Sequence, residues 1–331
     1  LNHLASEIAI KQEFAVTYRQ HESLYEQPLT SIEVNFDMSD TKKLKLSFKG
    51  AYDIHVHCSP DVIKRAQYPT ELAKAAFESG MAGIGIKNHT TSTVGITCVL
   101  NKMYPLGPRF FGSLALNPPV GGLNPIAVEA ALRQGADIVY FPTYSAKRHI
   151  DVVGYGPFPL PCEDFAGIQI MDEAGVIWKE VEIILSLIAK YDAVLATGHL
   201  SPEESLILLK RAHEIGVVRM LVTHASEPVT SMTVAQQLKT IECGAFIEHS
   251  FLAATETCEY HLSLEEIRNQ IRQVGAEHII LSSDFGQVIN GPPVNGFKHY
   301  VEKLYDIGVD DNDLRMMIHS NPKRLLENRK I

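Results

Sequence analysis

The chain has 331 residues, 45% of them hydrophobic and 21% charged, with a formal net charge of −9, a balance that suits an ordinary globular protein of one large or two modest domains. No run of clustered Lys and Arg offsets the negative charge, and no stretch of about 18 uncharged apolar residues exists to span a bilayer, so neither nucleic acid nor membrane is expected as a partner. The five cysteines (Cys58, Cys98, Cys162, Cys243 and Cys258) form no Cys-x-x-Cys pair, which argues against a disulfide framework and a thiolate zinc site and makes a reduced cytoplasmic protein the expectation.

Residues 1–49 read as an N-terminal extension. An amphipathic helix (Leu4, Ile8, Phe14, Tyr18) precedes two candidate strands, Ser31–Met38 and Leu44–Phe48. Its charged positions Glu7, Lys11, Glu13 and Arg19 are unlike the apolar core of a signal peptide. The extension is expected to form an arm, a cap or an oligomer contact, the last making a homo-oligomer the expected assembly.

From residue 50 to 331 one unit recurs: helix, Gly-containing turn, short apolar strand, polar residues. The joints read Glu78-Ser-Gly-Met81, Arg133-Gln-Gly-Ala136, Glu214-Ile-Gly-Val217, Glu242-Cys-Gly-Ala245 and Gln273-Val-Gly-Ala276. A glycine there suits a left-handed helix C-cap, where a Cβ would be strained. Strands are expected near 51–57, 82–87, 110–116, 137–142, 193–198, 218–223, 244–249 and 278–283. Their continuous apolar character suits parallel strands covered by helices. The helices are expected at Pro69–Ser79, Pro125–Gln134, Lys179–Lys190, Glu203–Ile215 and Leu264–Val274, the last opened by a capping box, Ser263-Leu-Glu-Glu266. Eight such units predict an α/β fold, a (β/α)8 TIM-type barrel, with a doubly wound open sheet as the alternative. Residues 148–178, rich in Pro and Gly, interrupt the repeat as a long loop after strand 4 and are expected to act at the active-site face.

Barrel chemistry gathers at the carboxyl ends of strands. Strand 1 ends in His55 and His57, strand 2 in Lys87 and His89, strand 5 in His199, strand 6 in His224, strand 7 in Glu248 and His249, and strand 8 in Asp284. His55 and His57, two apart, share a strand face and suit a divalent metal. Singly, each histidine could equally be a hydrogen-bonded core residue, and Asp284 could cap the following loop. Asp53 would orient a metal ligand or make a strand-end hydrogen bond.

His55, His57, His199, His224 and Asp284, on four strands in this order, resemble the amidohydrolase superfamily of metal-dependent hydrolases. The wording of Asp53-Ile-His-Val-His-Cys-Ser-Pro-Asp61 and Ile86-Lys-Asn-His89 is similar to a functionally uncharacterised branch of it. The resemblance implies one or two divalent ions held by His55, His57, His199, His224 and Asp284, with Zn2+ expected and Mn2+, Fe2+ or Ni2+ as alternatives. Two-metal members often bridge their ions from strand 4 with a carboxylated Lys or a Glu, whereas here strand 4 ends Tyr140-Phe-Pro-Thr143. Lys87 either supplies that bridge from strand 2 or binds an anionic substrate group. A protonated lysine, with a reference pKa of about 10.4, is no ligand.

The implied reaction is hydrolysis of an amide, lactone or related ester of a small molecule by metal-activated water, with Asp284 moving the proton and His224 or His249 helping to polarise the scissile group. His89, Tyr144, Lys147, Arg148 and Gln287 are candidate substrate-binding residues. The rivals are a phosphoesterase of the polymerase-and-histidinol-phosphatase type, a decarboxylase on the same metal site, and a non-catalytic metal-binding barrel used for ligand binding or assembly. The phosphoesterases usually finish with an Asp-x-His pair, where this chain has Asp284-Phe-Gly286.

Overall fold

The computed structural model describes residues 46–162, 164–258, 261–327 and 329. Eight parallel strands follow one another around a barrel in chain order. They are β1 (Tyr52–Val56), β2 (Gly83–Ile86), β3 (Arg109–Ala115), β4 (Ile138–Tyr140), β5 (Val194–Ala196), β6 (Met220–Val222), β7 (Ala245–Ser250) and β8 (Ile279–Ser282). The ring closes between first and last strands through a parallel bridge from Val56 to Phe285. There Asp284 N–H donates to the His55 carbonyl at 2.9 Å, and His57 N–H to that of Phe285 at 2.8 Å. The (β/α)8 barrel expected from the repeat is the fold, and this closure removes the open-sheet alternative.

The helices are α1 (Pro69–Glu78), α2 (Val94–Met103), α3 (Pro125–Arg133), α4 (Lys147–Val153), α5 (Lys179–Lys190), α6 (Pro202–Ile215), α7 (Val234–Glu242), α8 (Leu264–Val274), α9 (Pro293–Asp306), α10 (Asp311–Arg315) and α11 (Asn321–Leu326). Proline opens α1, α3 and α6, where its missing N–H would have no helical partner anyway. The capping box of α8 forms: Glu266 N–H donates to Ser263 Oγ at 3.2 Å, and Ser263 N–H to the Glu266 carboxylate at 2.8 Å. The joint glycines Gly80, Gly135, Gly216, Gly244 and Gly275 all have positive φ.

Apolar side chains pack in two shells. Ile84, Val139, Leu195, Val222 and Ile247 face the helices, while Tyr52, Ile54, Phe111, Tyr140, Leu221 and Phe246 fill the barrel interior. Strict alternation from Ile54 would turn His55 away from that interior. The β1–β2 register instead slips between Asp53 and Val56, adding one residue to β1. Such a bulge re-aims the side chains after it, so Ile54 packs inside, Val56 packs outward, and His55 and His57 meet at the barrel mouth. Gly85 makes room: a Cβ there would lie 2.1 Å from the Ile54 carbonyl oxygen.

Two expectations change. The expected loop at 148–178 opens with α4, and its chain is pinned by bridges of Ala146 to Ile168 and of Met171 to Ile177. The expected N-terminal helix and strand Ser31–Met38 lie outside the described residues. Of the strand expected at Leu44–Phe48, residues 46–48 are described and are not a strand; Leu46 is buried, and Phe48 packs edge-on against Phe297, with ring centroids 5.4 Å apart. Among the described residues no helix is long and apolar enough to cross a membrane.

Candidate metal centre

The bulged end of β1 and Asp284, two residues beyond β8, meet at the mouth. His55 Nε2 and His57 Nε2 each lie 3.0 Å from Asp284 Oδ1. Two donors about 2.1 Å from one zinc ion, at angles between 90° and the tetrahedral value, stand about 3.0–3.4 Å apart. Both nitrogen-to-Asp284 separations therefore fit a shared cation, and all three donor atoms lie within 4.8 Å of one another. Lys87 Nζ, from the end of β2, stands 2.9 Å from His55 Nε2 and 4.9 Å from the centre of the Tyr140 ring, which occupies the end of β4. His55, His224 and Glu248 form a second grouping with donor atoms within 4.8 Å of one another.

His224 Nε2 faces Asp284 Oδ2 at 3.7 Å. The ring of His199 meets that of His224 at 5.1 Å, and the buried His199 Nε2 has no hydrogen-bond partner among the described residues. The backbone is unusual at two of these positions. His224 and Asp284 have φ of 53° and 52°, a left-handed conformation that non-glycine residues rarely adopt and that gathers at functional sites.

The nitrogens that face away from the centre are held as well. His55 Nδ1 donates to Glu248 Oε1 at 2.9 Å, and His224 Nδ1 to Glu227 Oε1 at 2.7 Å. His199 Nδ1 shares a proton with His149 Nδ1 at 2.8 Å. Anchoring one ring nitrogen fixes the tautomer and points the other at a metal. His57 differs: its Nδ1 meets Arg65 Nη2 at 3.4 Å, and Arg65 is itself paired with Asp61 at 2.6 Å.

The electrostatics suit a cation. Burial raises the Asp284 carboxyl, but His55 and His57 outweigh it and hold it well below the usual carboxylate range. Burial likewise opposes ionisation of Glu248, yet His55 draws it down to about 2. Between these carboxylates, His55 resists the pull of burial and stays protonated up to about 9. Burial lowers Lys87, which stands 2.9 Å from His55 Nε2. Burial keeps His57 and His199 neutral, as metal ligands must be, and does the same for His89 on the cavity wall.

The remaining expected residues divide. His89, Tyr144 and Gln287 line a cavity of about 310 Å3 that reaches Lys87 and Asp284. Lys147 does not line it: it sits in the first turn of α4 and pairs with Asp151 at 2.9 Å on the surface. Arg148 is also outside, its Nε donating to the Val229 carbonyl at 3.1 Å. His249 is buried away from the cavity, with Nδ1 2.8 Å from Ser226 Oγ. Asp53 orients no imidazole; Oδ1 accepts from Ser283 N–H at 3.0 Å and joins β1 to the end of β8. Burial raises its pKa to about 7.

Glu227, His149 and Arg65 had no place in the sequence reading, and Glu248 had a position without a role. The signals were faint: a carboxylate three residues after His224, a carboxylate inside apolar β7, and the i,i+4 pair Asp61–Arg65.

Comparison with known proteins gives a family and a fold. Residues 50–248 match the model of DUF6282, described as a family of unknown function. No curated protein matches the chain. An amidohydrolase from Pseudomonas aeruginosa is similar in structure with a TM-score of 0.58 at 12% identity, over 85% of this chain and 96% of that one. An organophosphorus hydrolase from Deinococcus radiodurans gives 0.55 at 12% identity, over 85% and 93%. A 2,6-dihydroxybenzoate decarboxylase, complexed with 2,6-dihydroxybenzoate, gives 0.50 at 10% identity, over 84% and 99%. With the family model spanning β1 to Glu248, the chain belongs to the family of unknown function DUF6282, and it shares the barrel fold of these enzymes.

Proposed function

We propose that the chain is a metal-dependent hydrolase acting on an amide, lactone or related ester bond of a small molecule. The observation that carries the reading is the convergence of His55 Nε2, His57 Nε2 and Asp284 Oδ1 at 3.0 Å spacing beside Lys87. His199 and His224 complete the donor set, their outer nitrogens already engaged. These nitrogen and oxygen donors suit Zn2+ and admit Mn2+, Fe2+ or Ni2+. Once deprotonated, the Lys87 amine could take up carbon dioxide and release a second proton to solvent, giving a carbamate whose two oxygens are suited to holding a metal.

When bound, a divalent metal supplies Lewis-acid polarisation of the scissile group and lowers the pKa of water from 15.7 toward about 7. Asp284, held ionised beside His55 and His57, would accept the proton of the attacking water and pass it to the leaving group. Glu248 and Glu227 keep His55 and His224 in one tautomer and orientation. The neutral His89 and the Gln287 side chain stand on the cavity wall, where they can position substrate.

Metal analysis of the purified protein beside His55→Ala and Lys87→Ala tests this. His55→Ala is expected to lose metal, and full metal content in that variant would sink the site. Loss of one equivalent in Lys87→Ala supports a bridging carbamate; unchanged content makes Lys87 a substrate-facing residue.

A further inference from the structure

The outer half of the cavity differs in chemistry from its floor. Phe158, on the arch that follows α4, stacks on Tyr144 with ring centroids 4.4 Å apart at 23°, and lies 4.7 Å from the His89 ring. The Tyr144 hydroxyl donates to the Pro159 carbonyl at 3.1 Å, so it pins the arch. Val153, Val229 and Leu252 continue this wall. An apolar cavity of about 150 Å3 holds benzene. The cavity here, about 310 Å3, has room for an aryl ring and a short acyl chain.

Charge points the same way. Among the described residues that line the cavity, the Lys and Arg side chains are Lys87 and Arg65. Lys87 belongs to the floor, 2.9 Å from His55 Nε2, and Arg65 directs Nε and Nη2 at Asp61 at 2.7 and 2.6 Å. Glu227 adds a negative group to the wall. An anionic substituent lodged against the outer wall, away from the metal centre, would lose water and find no Lys or Arg among Tyr144, Val153, Phe158, Val229 and Leu252, which is costly in a buried site.

We propose that the site takes an uncharged substrate whose acyl or aryl group is flat and apolar, seated against Phe158, and that it discriminates against substrates with a carboxylate or phosphate remote from the reacting bond. This deepens the hydrolase reading and rests on it for the reacting bond alone. The ring face of Phe158 gives affinity for the flat group. Discrimination comes from the absence of an unpaired cation on the wall.

The test is isothermal titration of the metal-loaded full chain with two probes that differ by one group, N-benzylacetamide and 4-(acetamidomethyl)benzoate. The neutral probe is expected to bind at least tenfold more tightly. Phe158→Ala removes one aromatic contact worth about 0.5–1.5 kcal/mol, and should weaken the neutral probe about two- to tenfold. Val153→Lys places an ammonium on the same wall, and should tighten the carboxylated probe at least fivefold. Equal or tighter binding of the carboxylated probe to the unmodified chain overturns the proposal, as does failure of both probes to bind. A neutral-probe affinity unchanged by Phe158→Ala, or no gain in Val153→Lys, overturns the assignment of this wall. Binding as expected, without hydrolysis across a panel of amides and lactones, would count against the hydrolase reading and leave this one standing.

Discussion

Replacing Glu248 by Gln isolates the charge behind His55. The Glu248 side chain is fully buried; Oε1 accepts from His55 Nδ1 at 2.9 Å and from Ser282 Oγ at 2.7 Å. Glutamine keeps the shape and one carbonyl oxygen for these donors, so the ring stays in place while the negative charge is lost. His55 draws the Glu248 carboxyl from the ordinary 4.5 down to about 2, so the ionised form is the one that the ring favours. Losing an outer partner of a metal-bound histidine typically weakens metal binding about 10- to 100-fold, or about 1.4–2.7 kcal/mol. Competition against a chromophoric chelator at pH 7.5 reads the affinity, and thermal unfolding of the metal-free proteins checks that the fold survives. A folded Glu248→Gln variant that binds metal within twofold of the unmodified chain would refute the role given to this carboxylate.

Metal uptake should release a proton. His55 without metal holds its proton up to about 9, and that proton competes with the ion. Apparent affinity should therefore climb about tenfold per pH unit below 9 and level off above it; a weakly buffered titration at pH 7 should show at least one proton released, and none would exclude a protonated His55. Gly85→Ala should lower stability by about 2–4 kcal/mol and weaken metal binding together, since a Cβ would strike the Ile54 carbonyl at the bulge. Denaturant unfolding and the chelator assay check the pair, and a stable variant with intact metal affinity would show that β1 does not need the bulge.

The barrel was legible because its signals are local. Five helix-to-strand glycines mark where the chain needs positive φ, and Ser263 with Glu266 marks where α8 begins. Strand ends likewise point to the mouth, and His55, His57, Lys87, His199, His224 and Asp284 gather there. What the sequence hides is relational. Lys147 and Arg148 follow a strand end, yet the first turn of α4 points them to Asp151 and Val229. Glu248 and His249 are chain neighbours, and only the pleat of β7 decides that the former meets His55. The bulge in β1 is a property of two strands paired, invisible in either alone. Spacing two apart correctly puts both histidines on one face; it does not say which.

The junction of the first and last strands carries a thermodynamic consequence. His57 and Asp284 are 227 positions apart in the chain, and their donor atoms come together only when β8 lies beside β1. A cation shared between them acts as a clasp on the barrel, bound by the closed form and released by the open one. Its binding energy then adds to the stability of the ring as a whole, by about 4 kcal/mol at a thousandfold excess over its dissociation constant. Ion supply and the stability of the closed ring would then be one equilibrium, so depleting the ion would lower the barrel's resistance to unfolding.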